Sequence, residues 1–167
     1  MTIAKTVTLL LLVLPFQLWA LGSDRDQPIE IEADSLEVRE TEKISIYEGN
    51  VSLVQGSLEI RSDRLVIHFN ETNDPTLMQM TGAPAKFRQL DDDQLEMKGQ
   101  AIKINYTASQ SSLELRGNAR FSRAGDTIES DLIRIDTEGK GVRAGSSDSD
   151  DRVKMLIQPR PDSNSAE

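Results

Sequence analysis

The feature that most constrains this chain is an eight-residue pattern that occurs four times and changes phase at its centre. The copies are Ile31 to Val38 (IEADSLEV), Ile60 to Ile67 (IRSDRLVI), Met97 to Ile104 (MKGQAIKI) and Ile128 to Ile135 (IESDLIRI). Each opens with an apolar residue, a charge and a small residue, the last being Ala33, Ser62, Gly99 or Ser130. A polar residue follows at Asp34, Asp63, Gln100 or Asp131, and each copy closes on two apolar residues spaced by two. Alternation with period two marks strands, not helices. The apolar face changes parity just after the small residue, so a strand that keeps one face inward must turn or bulge there. Each octet therefore reads as the end of one strand, a corner at the small-polar pair, and the start of the next.

A second element recurs between the octets. Gly49-Asn50-Val51-Ser52-Leu53, Gly82-Ala83-Pro84-Ala85-Lys86-Phe87 and Gly117-Asn118-Ala119-Arg120-Phe121 each begin with glycine and continue into alternating apolar positions. Glycine takes positive φ without a Cβ clash, so these openings read as turns. Leu65, Ile67 and Phe69 share one face against Val66 and His68; Ile102, Ile104 and Tyr106 share one against Lys103 and Asn105. The chain is thus all-β: an open roll of stacked antiparallel strands with corners at the repeated small-polar residues, or else a β-solenoid. Aromatic residues make up only 4% of it, which leaves open whether the interior is filled or hollow. Asn70 to Pro75 reads as a polar turn, Asp91 to Asp93 as a solvated loop, and the Gly/Ser/Asp-rich stretch 139–151 as a mobile connection. Val153 to Ile157 reads as a last strand.

The N-terminus has the form of a secretory leader. Lys5 precedes an apolar run from Val7 to Leu14, and Leu18-Trp19-Ala20 offers a cleavage site. Pro15 and Gln17 interrupt the run, which counts against a retained anchor; no cysteine is present, which excludes a lipoprotein. The expected division is a signal peptide at residues 1–20, one β-domain at 21–159, and a disordered tail at 160–167, with export to the periplasm. A formal net charge of −9 excludes nucleic acid as a natural partner, because affinity there comes from neutralising phosphates with Lys and Arg.

Catalytic and metal-binding sets are missing from the sequence. His68 is the one histidine and falls on the polar side of its strand, where a solvated residue is a better reading than a general base. Asp34, Asp63 and Asp131 recur at equivalent positions and could suggest a cation ladder. Corners where Asp bonds nearby backbone N–H groups explain them better. The glycines stand singly, so no phosphate loop forms. No enzyme, metal or cofactor is expected.

Several blocks resemble the LptA/OstA-like family of lipopolysaccharide transport proteins. They are Asp26-Gln27-Pro28-Ile29-Glu30-Ile31-Glu32-Ala33-Asp34, Tyr47-Glu48-Gly49-Asn50-Val51, Gly82 to Phe87, Gly117-Asn118-Ala119 and Arg152 to Pro159. The resemblance spans nearly the whole chain beyond the leader. It implies a β-jellyroll with an apolar groove, transfer of lipopolysaccharide from inner-membrane LptC to outer-membrane LptD, and self-association end to end. By motif position it implies lipid contact at Ile29, Ile31, Phe87 and Tyr106. The same inward faces add Leu36, Val38, Leu65, Ile67, Ile102, Ile104 and Phe121. The acidic composition makes phosphate recognition doubtful and a mainly apolar grip expected. Competing expectations are an LptC-like anchored sibling, a structural β-solenoid that binds no lipid, and a periplasmic enzyme working with two opposed carboxylates.

Overall fold

A computed structural model describes residues 24, 27–137, 141–145 and 152–159. The expected signal peptide, the tail from residue 160, and residues 138–140 and 146–151 lie outside the described residues. Ten strands form one unclosed antiparallel sheet: β1 (Glu30–Glu32), β2 (Ser35–Arg39), β3 (Ile44–Gln55), β4 (Leu58–Phe69), β5 (Pro75–Leu90), β6 (Glu96–Thr107), β7 (Ser112–Arg123), β8 (Asp126–Asp136), β9 (Gly141–Ala144) and β10 (Lys154–Leu156). Strands β3 to β8 pair in sequence order. Two short strands share each outer edge: β1 and β2 both pair with β3, while β10 and β9 both pair with β8.

The phase shifts of the sequence are bends within long strands. Register breaks fall at Glu48/Val51, Arg61/Arg64, Thr81/Ala85, Gln100/Lys103 and Arg116/Ala119, side by side across the sheet. Bulges aligned in this way fold one sheet into two facing halves, because each adds a residue and sharpens the local twist. The glycine elements supply the bends of β3, β5 and β7, and the last three octets those of β4, β6 and β8. The Gly49-Asn50 and Gly117-Asn118 pairs are therefore mid-strand bulges and not turns between strands. All four residues hold positive φ (+79°, +47°, +82° and +48°), which explains glycine and asparagine there. Only the first octet ends a strand as expected, between β1 and β2 at Ala33-Asp34. There the Asn50 side-chain amide donates to the Asp34 carboxylate at 2.9 Å, and the Asp34 N–H donates to the Gly49 carbonyl at 2.9 Å.

The inward faces of the two halves meet in one core. Leu65, Ile104, Leu115 and Ile133 are completely buried, with Leu53, Met80 and Val51 nearly so. Phe87 and Phe121 stack across β6 with ring centroids 6.5 Å apart, and Gly99 lies between them in register. A Cβ on Gly99 would overlap the Phe87 ring, so this small residue seats an aromatic ahead of the bend. Gly141 to Ala144, expected as part of a mobile connection, is instead strand β9. Its Val142 and Ala144 point inward opposite Ile135 and Ile133, and that alternation outweighs the flanking Gly/Ser/Asp composition.

Candidate functional site

The inward apolar row does not stop at the edges of the core. Tyr47 and Ser45 on β3 are opposed on β2 by Leu36 and Val38, which share the inward face yet remain 56% and 57% exposed. Ile31 opposes Leu53 and packs half-buried against the core, while Ile29, just ahead of β1, is exposed. The opposite edge repeats the arrangement: Val142 on β9 continues the row of Ile135, and Met155 on β10 continues that of Ile128, both exposed. The molecule thus has a packed apolar centre that opens to solvent at both sheet edges. Exposed apolar residues that continue the core in this way make the two edges the candidate site.

Leu65, Ile67, Phe87, Ile104 and Phe121 lie together in the buried cluster, and Ile31 and Tyr106 pack against it half-buried. Leu36, Val38 and Ile29 form its exposed rim at the β1/β2 edge. Ile102 does not share their face. In the third octet the parity change comes later than in the second, so Ala101 turns inward and is fully buried. Ile102 falls on the bulge, 53% exposed, and lies across Gly117 with its Cδ1 3.0 Å from where a Cβ would stand. The expectation that Ile102 lines the interior is corrected accordingly. Val142 and Met155 were not picked out as site residues; their alternation in short strands was the available signal.

The polar groups are arranged for structure. His68 is half-buried on the outer face, its Nε2 3.4 Å from Gln79 Oε1. Asp63 and Asp131 are exposed at the bends. Asp91 is more than a solvated loop residue: burial acts to raise its pKa, but the Leu95 and Asp93 N–H groups and the Arg123 guanidinium hold it below the ordinary carboxylate range. Glu114 is similar, with burial outweighed by Arg116 and Arg134. Among the described residues, no group of three or more His, Cys, Asp or Glu could hold a metal ion.

An open-edged antiparallel roll whose apolar interior reaches solvent at both edges is an architecture suited to binding. Residues 30–140 match the model of the family described as LptA/(LptD N-terminal domain) LPS transport protein, and the chain belongs to that family. It is 30% identical over 148 residues to the lipopolysaccharide export system protein LptH of Pseudomonas aeruginosa, covering 84% of this chain and 85% of that protein. It is 28% identical over 142 residues to the lipopolysaccharide export system protein LptA of Escherichia coli K12, covering 84% and 76%. The crystal structure of Pseudomonas aeruginosa LptH, described as the LptA-homologous periplasmic component of the lipopolysaccharide transport device, superposes with a TM-score of 0.74. That superposition has 28% identity and covers 83% of this chain and all of that one. The fold is therefore the LptA-like jellyroll, and the protein is a lipopolysaccharide transport protein of that family.

Proposed function

We propose that this protein is a non-enzymatic periplasmic carrier that bridges LptC to LptD, holds the acyl chains of lipopolysaccharide against its inward apolar face, and stacks end to end. The observation that carries the reading is the pair of inward residues Leu36 and Val38, left more than half exposed on an edge strand beside a fully packed core. An acyl chain gains about 0.8 kcal/mol for each CH₂ it buries, and those positions offer apolar surface from which to gain it. The unpaired backbone of the β1/β2 and β9/β10 edges supports stacking, because a second sheet edge satisfies it and continues the apolar row. Leader cleavage and periplasmic residence belong to the same reading.

Photo-crosslinking from reactive analogues at Phe87 and Leu36, with outward-facing Lys103 as control, tests it in cells making lipopolysaccharide. The expected result is a lipopolysaccharide adduct at the two inward positions and none at Lys103. No adduct at either inward position in folded, exported protein would leave a structural β-roll as the better reading. Deleting Val153 to Pro159 removes β10 and is expected to weaken self-association in sedimentation analysis; an unchanged association state would remove stacking through that edge.

A further inference from the structure

The outer face of the half-sheet that holds β1 and β10 carries a concentration of positive charge at odds with the acidic chain. The cross-strand row there runs Arg61, Lys86, Gln100, Arg120 and Glu129 through β4 to β8, each directly opposite the next. The adjacent row places Glu59, Arg88 and Lys98 alongside. All of these except Glu129 line a depression of about 380 Å³ that holds five cationic side chains and one carboxylate, that of Glu59. A second depression, sharing Gln100 and Arg120, extends it toward Arg152 and Lys154.

Two of these cations differ from the rest. Arg88 is paired with Glu59 and Glu96, Lys98 with Glu96, and Arg120 with Glu129, which Lys154 also approaches. Arg61 and Lys86 face each other across β4 and β5 with no carboxylate partner among the described residues. Like charges directly opposite on one face are unfavourable in a sheet. Their outer-face neighbours in the row are Ser52 and Gln100, which cannot neutralise them. A chain with 28 acidic residues had carboxylates available and places none between them.

We propose that this depression is a phosphoryl-binding site, in which Arg61 and Lys86 grip the anion while Gln100 and Arg120 supply the far wall. A phosphoryl group suits it better than a carboxylate, since it offers three acceptor oxygens to a guanidinium fork and an ammonium at once. Neighbouring strands lie about 4.8 Å apart, which brings the tips of these long side chains within reach of one such group. The site lies on the outer face and does not depend on the lipid reading of the inner one.

The test titrates the purified protein with two probes: inorganic pyrophosphate, and a phosphorylated glycolipid beside its dephosphorylated form. In the double variant R61Q/K86Q, pyrophosphate binding is expected to fall roughly tenfold or more, the loss typical of one or two charge-assisted hydrogen bonds. Lys103→Gln, on the outer face of the other half, is expected to leave it unchanged. If the glycolipid headgroup is the source, the same variant weakens the phosphorylated glycolipid and spares the dephosphorylated one. If it leaves both glycolipids unaffected but loses pyrophosphate, the phosphoryl site stands with a soluble anion as its source. Failure of both glycolipids to bind, with the pyrophosphate loss intact, counts against lipid carriage and not against this site. Equal pyrophosphate binding by the variant and the unaltered protein overturns the proposal.

Discussion

At the scale of single residues, the small positions of the octets do different work from one copy to the next. Gly99 seats the Phe87 ring, so Gly99→Ala is expected to destabilise the protein by roughly 1–3 kcal/mol through overpacking, read as a lower urea midpoint. Ser62 holds the same octet position in β4, though the register aligns Gly99 with Ile60, and it is buried with its hydroxyl unpaired. Ser62→Ala is therefore expected to be neutral or to stabilise by about 1 kcal/mol in the same experiment, because it removes an unsatisfied buried group. The sequence picked out all four small positions from an apparent parity change after each, although in the third copy the change comes after Ala101. It did not show why, because the reason at Gly99 is a ring contributed by another strand. Ile102 was misplaced for a related cause: a two-residue delay in the bulge is invisible when all four copies are aligned on their chemistry.

At the scale of elements, period-two alternation was enough to mark β3 to β8 as strand, but the octets and glycine elements read as strand ends and turns where the structure has bends within long strands. The short edge strands were harder. Strand β9 is four residues long, and its pairing with β8 is a long-range fact. Another tie beyond sequence reach fixes the segment just before β1. The Asp24 carboxylate accepts from the Ser57 N–H and hydroxyl, each at 2.7 Å, and from Gln89 Nε2 at 2.9 Å, pinning that segment to the β3–β4 hairpin. Partial burial acts to raise the Asp24 pKa, but the Ser57 and Gln89 bonds outweigh it and hold the group below its ordinary value. A depressed carboxylate contributes stability that is present above the ordinary aspartate range and is lost as pH falls through the lowered value. The stability difference between the protein and Asp24→Asn, measured by urea unfolding, is thus expected to be widest near neutral pH and to close below about pH 4. A difference that stays constant down to strongly acid pH would show that the carboxylate charge is not what holds the segment.

For the whole molecule, net charge was a poor guide to local surface. The value of −9 was legible at once, but the fold collects acid in segments such as Glu40 to Glu42 and Asp91 to Asp93 while ranking cations along one outer face. Only cross-strand register brings Arg61 beside Lys86, since they are 25 positions apart in the chain. The same separation of centre from edge decides how the inner face should be tested. Phe87 is 7% exposed and stacked on Phe121, so an aspartate there would bury an unpaired charge and threaten the fold itself. Leu36 and Val38 carry the same inward direction without that burden, since the edge leaves them in solvent. Leu36→Asp and Val38→Asp are each expected to shift the urea midpoint by no more than the equivalent of about 0.5 kcal/mol, as exposed substitutions generally do. Each is also expected to reduce lipopolysaccharide capture in a pull-down, because charge at the rim of an apolar surface opposes entry of an acyl chain. Retained capture with both aspartates in place would move the lipid-contacting surface away from the β1/β2 edge and toward Val142 and Met155 at the other.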